Sequence, residues 1–259
     1  YPFDNNYLDS GTSKVHSVLK DNAGNLWIAI YQKGVMMIPA QPNSFKYIGY
    51  KSINKNIIGS NCITSLCRDH KGILWIGTDN DGIYGITTEL KQKVHYAPHD
   101  SPSSVPSTVF GLYEDSEHNL WFGSYTNGLG RLDKKTGQCS YLQNLTDKNG
   151  NRIQRVYDLV EDQDKRLWIA TMGAGLFYYD LKTGQSVYDP KFNAATKKYK
   201  WISCLLYAGD NHLYVGTYDG IRCIDLSTDD FKTEEILSRH IIHSLYEDPQ
   251  GNIWIGNSE

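Results

Sequence analysis

The sequence predicts an all-β fold, a β-propeller of four-stranded antiparallel blades with about six blades present, and three observations carry that expectation. One sixteen-residue phrase recurs six times, its aromatic residue returns at a near-constant interval, and no stretch of ten residues shows a sustained 3.6-residue apolar period. The copies are VHSVLKDNAGNLWIAI (15–30), ITSLCRDHKGILWIGT (63–78), VFGLYEDSEHNLWFGS (109–124), VYDLVEDQDKRLWIAT (156–171), ISCLLYAGDNHLYVGT (202–217) and IHSLYEDPQGNIWIGN (242–257). The aromatics Trp27, Trp75, Trp121, Trp168, Tyr214 and Trp254 follow at intervals of 48, 46, 47, 46 and 40, in the range of a four-stranded blade. Helical solenoids of similar period lack this pattern.

Each unit parses into strands by its own chemistry. The first strand ends at a turn in which Asp21 and Gly24 take the first and fourth positions of a type I turn. The second, 26–30 and its equivalents, is apolar on both faces, as a sheet sandwiched between two neighbours requires. Gly34, Gly82, Gly128 and Gly175, each seven residues after the Trp, and Gly220, six after Tyr214, mark the turn into a third strand. Tyr-rich segments at 45–50, 93–96, 139–142 and 186–188 supply the outer strand. At this register Trp27, Trp75, Trp121, Trp168 and Trp254 are expected to pack between blades. The small residues two places on (Ala29, Gly77, Gly123, Ala170, Gly216, Gly256) let the sheets approach.

One propeller over 1–259 is expected, with blade repeats starting near 15, 63, 109, 156, 202 and 242. Both ends fall mid-blade, as in a fragment of a seven-bladed or double propeller. The fifth copy, with Tyr for Trp and Gly209-Asp210 in the turn, is degenerate. The chain opens on Tyr1 with neither a start Met nor a signal peptide, so it is read as a processed or excised piece.

Composition narrows function. The 26 Lys and Arg against 29 Asp and Glu give a net charge of −3, and no basic stripe suits a polyanion, so no nucleic-acid contact is expected. No apolar run approaches the roughly 20 residues of a membrane helix. Five cysteines without a C-x-x-C pair are expected as small buried residues, and Cys62 and Cys67, five apart, would face opposite ways on a strand. Phosphate-loop, dinucleotide and nucleophile-elbow signatures are absent from the sequence. The His240/His243 and His95/His99 spacings give no persuasive metal set, and no metal or cofactor is expected.

The phrase DHKGILWIGTDNDG (69–82), with DSEHNLWFGSYTNG and DPQGNIWIG, resembles the two-component regulator propeller repeat, and the likeness runs through all six copies. In that family the propellers form the periplasmic sensor of membrane-bound histidine kinases. Many are hybrid kinases of polysaccharide-degrading gut bacteria that detect oligosaccharides and switch on degradation genes. The resemblance therefore implies a periplasmic, non-enzymatic binding region whose partners are an oligosaccharide or other small ligand, the remaining domains of the same protein, and a second copy in a homodimer.

Ligands of a propeller bind loops at one mouth of the ring, because the strands are consumed by packing. The loops between second and third strands offer Tyr31, Asp79, Asp81, Tyr125, Asn127, Met172, Tyr218 and Asp219. The links between blades offer Arg152, Arg155, Lys200, Trp201, Arg239 and His240. Aromatic faces stack on sugar rings and Arg pairs with hydroxyls, which singles out Trp201, Tyr218, Arg155, Tyr31, Tyr125 and Arg239. Three readings stay open at this stage: a sensor, a propeller enzyme (a glycoside hydrolase or a streptogramin-type lyase), and an assembly surface.

Overall fold

A computed structural model describes residues 15–30, 34–38, 40, 58–60, 62–87, 91–147, 149–188, 193, 200–228 and 231–258. Among the described residues the named elements are strands, and Asn193 alone is helical. The chain divides into two units, residues 1–61 and 62–259. In the first, β1 (Val15–Lys20), β2 (Leu26–Ile30) and β3 (Gly34–Ile38) form a three-stranded antiparallel sheet; the expected outer strand at 45–50 lies outside the described residues.

The second unit holds four sheets of four strands, each antiparallel in sequence order. They are β4 (Ile63–Arg68), β5 (Leu74–Thr78), β6 (Ile83–Ile86) and β7 (Gln92–Tyr96); β8 (Val109–Glu114), β9 (Leu120–Ser124), β10 (Leu129–Leu132) and β11 (Cys139–Tyr141); β12 (Val156–Glu161), β13 (Arg166–Thr171), β14 (Leu176–Asp180) and β15 (Gln185–Tyr188); and β16 (Ile202–Ala208), β17 (His212–Thr217), β18 (Gly220–Asp225) and β19 (Thr233–Ser238). The hairpin β20 (Ile241–Glu247) and β21 (Ile253–Ser258) follows. First strands lie beside first strands, β4 against β8, β8 against β12, β12 against β16 and β16 against β20, which is the blade-upon-blade order the period predicts.

Every phrase is built on the same turn. In the second sheet Asp69 N–H donates to Ile73 O (2.9 Å) and Gly72 N–H to Asp69 O (2.8 Å), a type I turn followed by a left-handed residue. That last position has positive φ in all six copies: Gly24, Gly72, His118, Lys165, Asn211 and Gly251. The Asp carboxylate then does three things. Its Oδ1 accepts Lys71 and Ile73 N–H (3.0 and 2.9 Å), and its Oδ2 accepts the Trp75 indole N–H at 3.0 Å. The same indole bond recurs from Trp27 to Asp21, Trp121 to Asp115, Trp168 to Asp162 and Trp254 to Asp248, at 2.7 to 2.9 Å.

With its edge fixed, the ring turns its face to the following blade. Trp75 packs with Val109, Leu120 and Phe122; Trp121 with Val156, Leu159 and Leu167; Trp168 with Ile202, Leu205 and Leu213. These three rings are 0 to 3% exposed. Two expectations are corrected: Trp27 is 40% and Trp254 63% exposed. Among the described residues no second sheet layer lies on the single sheet around Trp27 within its own unit. The small residue two places on is spaced as expected. A Cβ on Gly123 would come within 2.5 Å of Val156 O in the next blade. Cys139, Cys204 and Cys223 are buried as expected, and burial pushes the Cys139 and Cys204 thiols up to about 12, but Cys62 is exposed.

Glutamates latch neighbouring blades together. Glu114 Oε2 accepts the His70 N–H (2.6 Å), Glu161 Oε2 the Ser116 N–H (2.6 Å) and Glu247 Oε2 the Gly209 N–H (3.3 Å), so each holds the turn of the preceding blade. Asp158 makes the inner counterpart: it accepts Leu205 N–H of the next first strand (2.8 Å) and Leu159 N–H (2.9 Å). Burial raises its carboxyl from 3.8 to about 6 despite those two bonds.

Replacement of Trp168 by Ala is expected to cost about 3 to 5 kcal/mol, the usual figure for a large core aromatic, and of Trp254 by Ala less than about 1 kcal/mol; urea denaturation of both variants checks the contrast. The pH dependence separates two groups of carboxylates. The Asp21 carboxyl is held at about 2 by the Trp27 indole and Asn25, and that of Asp248 by Asn252 and the Trp254 indole, so their contributions exist above pH 3.8 and are lost as pH falls towards 2. Asp158 has the opposite sign: its contribution is complete below pH 3.8 and is lost as pH rises to about 6. Asp158→Asn is expected to flatten the fall in melting temperature between pH 4 and 6 while leaving the acid limb in place.

Candidate functional site

The loops between second and third strands are closed by one device. Thr78, Ser124, Thr171 and Thr217 are fully buried, and their hydroxyls donate to the carbonyls of Gly82 (2.9 Å), Gly128 (3.0 Å), Gly175 (2.5 Å) and Gly220 (2.9 Å). Each loop then binds the link entering the next blade: Asn80 N–H to Ser107 O (3.0 Å), Arg155 N–H to Tyr125 O (3.2 Å), Gly173 N–H to Lys200 O (2.7 Å) and Arg239 N–H to Asp219 O (3.1 Å). A loop residue of one blade thus stands beside a link residue of the next.

The first strands contribute a second set of side chains that alternation alone does not reveal. In all six repeats the pairing of first and second strands slips by one residue, so that His16, Thr64, Phe110, Tyr157, Ser203 and His243 are each bulged out of the ladder. A bulge re-aims the side chain it carries. The Thr64 hydroxyl reaches Val109 O and the Ser203 hydroxyl reaches Ile242 O, tying each first strand to the next. At the two middle bulges aromatics take that place, and the rings of Phe110 and Tyr157 stack with centroids 4.2 Å apart.

Two of the expected residues adjoin this pair, and two more form a ring contact of their own. Tyr125, 42% exposed, meets Phe110 edge-on at 6.0 Å, and the Arg155 guanidinium lies over the Tyr125 ring at 5.2 Å. Trp201 and Tyr218, 47% and 39% exposed, meet edge-on at 5.6 Å; Tyr218 N–H donates to Trp201 O (3.2 Å), and Trp201 bridges to Met172. Tyr157 joins the two halves. Burial raises its hydroxyl above the usual range, the nearby Tyr218 and Tyr125 hydroxyls and Asp79 add to that, and Arg155 opposes it. Groups from four successive blades therefore lie within electrostatic reach of one phenol. Arg239 is exposed and anchored to Asp219 through its backbone, with no ring contact among the described residues; Tyr31 lies outside them.

The arrangement is an open, aromatic-rich surface with one guanidinium and several phenols. It can stack on a flat apolar ligand face and donate hydrogen bonds. Of the loop carboxylates, Asp81 accepts from Tyr84 and faces His95 (3.3 Å), and Asp79 accepts from Thr108 (2.7 Å). Arg155 and Arg239 hold left-handed backbones (φ 54° and 66°), where an L side chain costs about 1 kcal/mol or more. Arg155→Gly is accordingly expected to melt at or above the temperature of Arg155→Ala, reversing the usual order of Gly and Ala; paired thermal melts measure it.

Phe110 and Tyr157 were the residues that reading the strands by alternation missed. The signal was present: the position after the first apolar residue, itself always Val or Ile, reads His, Thr, Phe, Tyr, Ser, His across the six copies.

Residues 57–80, 103–126, 146–173 and 236–259 match the two-component regulator propeller. No curated protein matches the chain. Among solved structures it is similar to the extracellular domain of the putative one-component system BT4673 of B. thetaiotaomicron (23% identity, TM-score 0.66, 93% of this chain and 34% of that one). It is also similar to the extracellular domain of the putative hybrid two-component system BT3049 of the same organism (19%, 0.57, 93% and 38%). A third likeness is to PorZ, a surface component of the type-IX secretion system of Porphyromonas gingivalis (11%, 0.56, 94% and 45%). The chain spans between a third and a half of these structures, and at such identities the likeness is one of fold. Four of the six repeats thus match the two-component regulator propeller, and the remaining two share their turn and strand order.

Proposed function

We propose that this chain is part of the extracytoplasmic sensor of a two-component system, and that it binds an oligosaccharide non-covalently at the loop mouth around Tyr157. The observation that carries the reading is the convergence of exposed Tyr125, Trp201 and Tyr218 with Arg155 on one bulged, stacked aromatic pair. Sugar rings present apolar C–H faces and hydroxyl edges, so an aromatic platform flanked by a guanidinium matches both. The repeat family and the extracellular neighbours of like fold support a location outside the cytoplasm.

Each stacked ring contributes on the order of 1 kcal/mol, so affinity is expected to be modest and to fall about tenfold when one ring is removed. Isothermal titration of the intact sensor against plant and host oligosaccharides is the test, with Trp201→Ala and Tyr157→Ala as the informative variants. Weakened binding in both supports the mouth. Unchanged affinity in both places the ligand on another part of the sensor, and turnover of any oligosaccharide rejects a binding-only role.

A further inference from the structure

At the end of the strands away from the mouth, the hairpin turns of the second and third blades bring together residues 44 to 48 positions apart in sequence. His70 follows the turn Asp of the second blade, His118 occupies the left-handed slot of the third, and Glu114 ends β8. The two imidazoles stack with centroids 3.7 Å apart, and His70 Nδ1 lies 2.8 Å from Glu114 Oε1. One ligand atom from each of the three lies within 4.8 Å of the others. We propose that His70, His118 and Glu114 form a binding site for a divalent transition-metal cation, zinc or nickel by donor type.

Three features favour a cation over an incidental cluster. The blade architecture asks for histidine at neither position: the residue after the turn Asp is Asn22, Ser116 or Pro249 in other copies, and the left-handed slot takes Gly in three of the six. Holding φ at 68° for His118 costs stability that Gly would not. Two imidazoles and a carboxylate are the donor set that borderline-soft divalent ions select. The site also opens on a cleft of about 650 Å³ lined by Asp69, Asn119, Asp133 and Lys134 as well as both histidines, which gives an ion and its remaining waters a route in.

A four-coordinate ion about 2.1 Å from its ligands spaces them about 3.4 Å apart, so the two exposed histidines must close in by about 1 Å and turn out of their stack to ligate. Glu114 is already oriented, since its Oε2 accepts the His70 N–H. Lys134 is the competitor: its ammonium lies 2.5 Å from Glu114 Oε1, on the oxygen that also faces His70, and cation binding must displace it. Lys134 thus stands where the ion would go and holds the carboxylate in its absence.

The experiment is titration of the intact protein with zinc chloride and with nickel chloride, followed by calorimetry and equilibrium dialysis at pH 7.5 and 5.5. One cation per chain is expected to bind at pH 7.5, more weakly at pH 5.5 because the imidazoles must be deprotonated to ligate. His70→Ala and His118→Ala are each expected to weaken binding at least tenfold without moving the far-UV spectrum. Lys134→Met is expected to tighten it several-fold, which a purely structural role for the cluster does not predict. No saturable binding, or binding that survives both histidine variants, overturns the proposal. Loss in both histidine variants with unchanged affinity in Lys134→Met overturns Glu114 as the third ligand.

Discussion

The indole N–H of each repeat's Trp binds the carboxylate of the Asp six residues earlier, and the rest of the blade is arranged around that bond. The carboxylate is fully engaged: one oxygen gathers two backbone N–H groups and sets the turn, the other takes the indole and fixes the ring's orientation. A buried charge of this kind is tolerable only when every lone pair has a donor. Local turn and interblade packing are therefore one feature. The degenerate fifth repeat supports this, because Ala208 stands at the Asp position and Tyr214 at the Trp position, both members of the pair having changed together. There Tyr207 donates to Asn211 Oδ1 (3.0 Å) and steadies the turn instead.

Packing between blades is directional. The Trp of one sheet lies on the apolar face of the next, the glutamate of the next sheet holds the turn of the one before, and the Thr64 and Ser203 hydroxyls reach forward to a carbonyl. Asp158 belongs to this group, satisfying an amide of the following first strand. Each blade's stability thus depends on a neighbour, as in other repeat architectures whose units cannot bury their own faces. Trp254 shows that the two contributions are separate: its indole bond is intact at 2.9 Å, yet the ring is 63% exposed.

Legibility in the sequence followed the same division. Strands, turns, blade order and the buried Trp75, Trp121 and Trp168 were readable because each repeats at a fixed offset, so six weak signals reinforce one another. Exposure of Trp27 and Trp254 was not, since the register says where a ring points but not whether a sheet covers it. The bulge at Phe110 and Tyr157 was hidden because period-two alternation assumes an unbroken ladder. The cluster of His70, Glu114 and His118 was hidden for a different reason: Glu114 and His118 belong to one repeat and His70 to the one before, so the set is complete only across two blades.

In a repeat protein, positions fixed by the fold are the same in every copy and positions that differ between copies are released from it. The turn Asp, the Trp and the small residue after it vary least because each is tied to a neighbour at under 3.5 Å or packed with no space for a Cβ. The bulged position and the turn residues, the one after the turn Asp above all, differ freely between copies, and at Phe110/Tyr157 and at His70/His118 they meet across a seam between blades, the former towards the mouth loops and the latter at the hairpin end. Aromatics stand at the first kind of seam and imidazoles at the second. The two sites are thus outcomes of one geometry at opposite ends of the same seams, and the one at the hairpin end adjoins the Asp–Trp frame, since Lys134 Nζ lies 3.8 Å from Asp69 Oδ2.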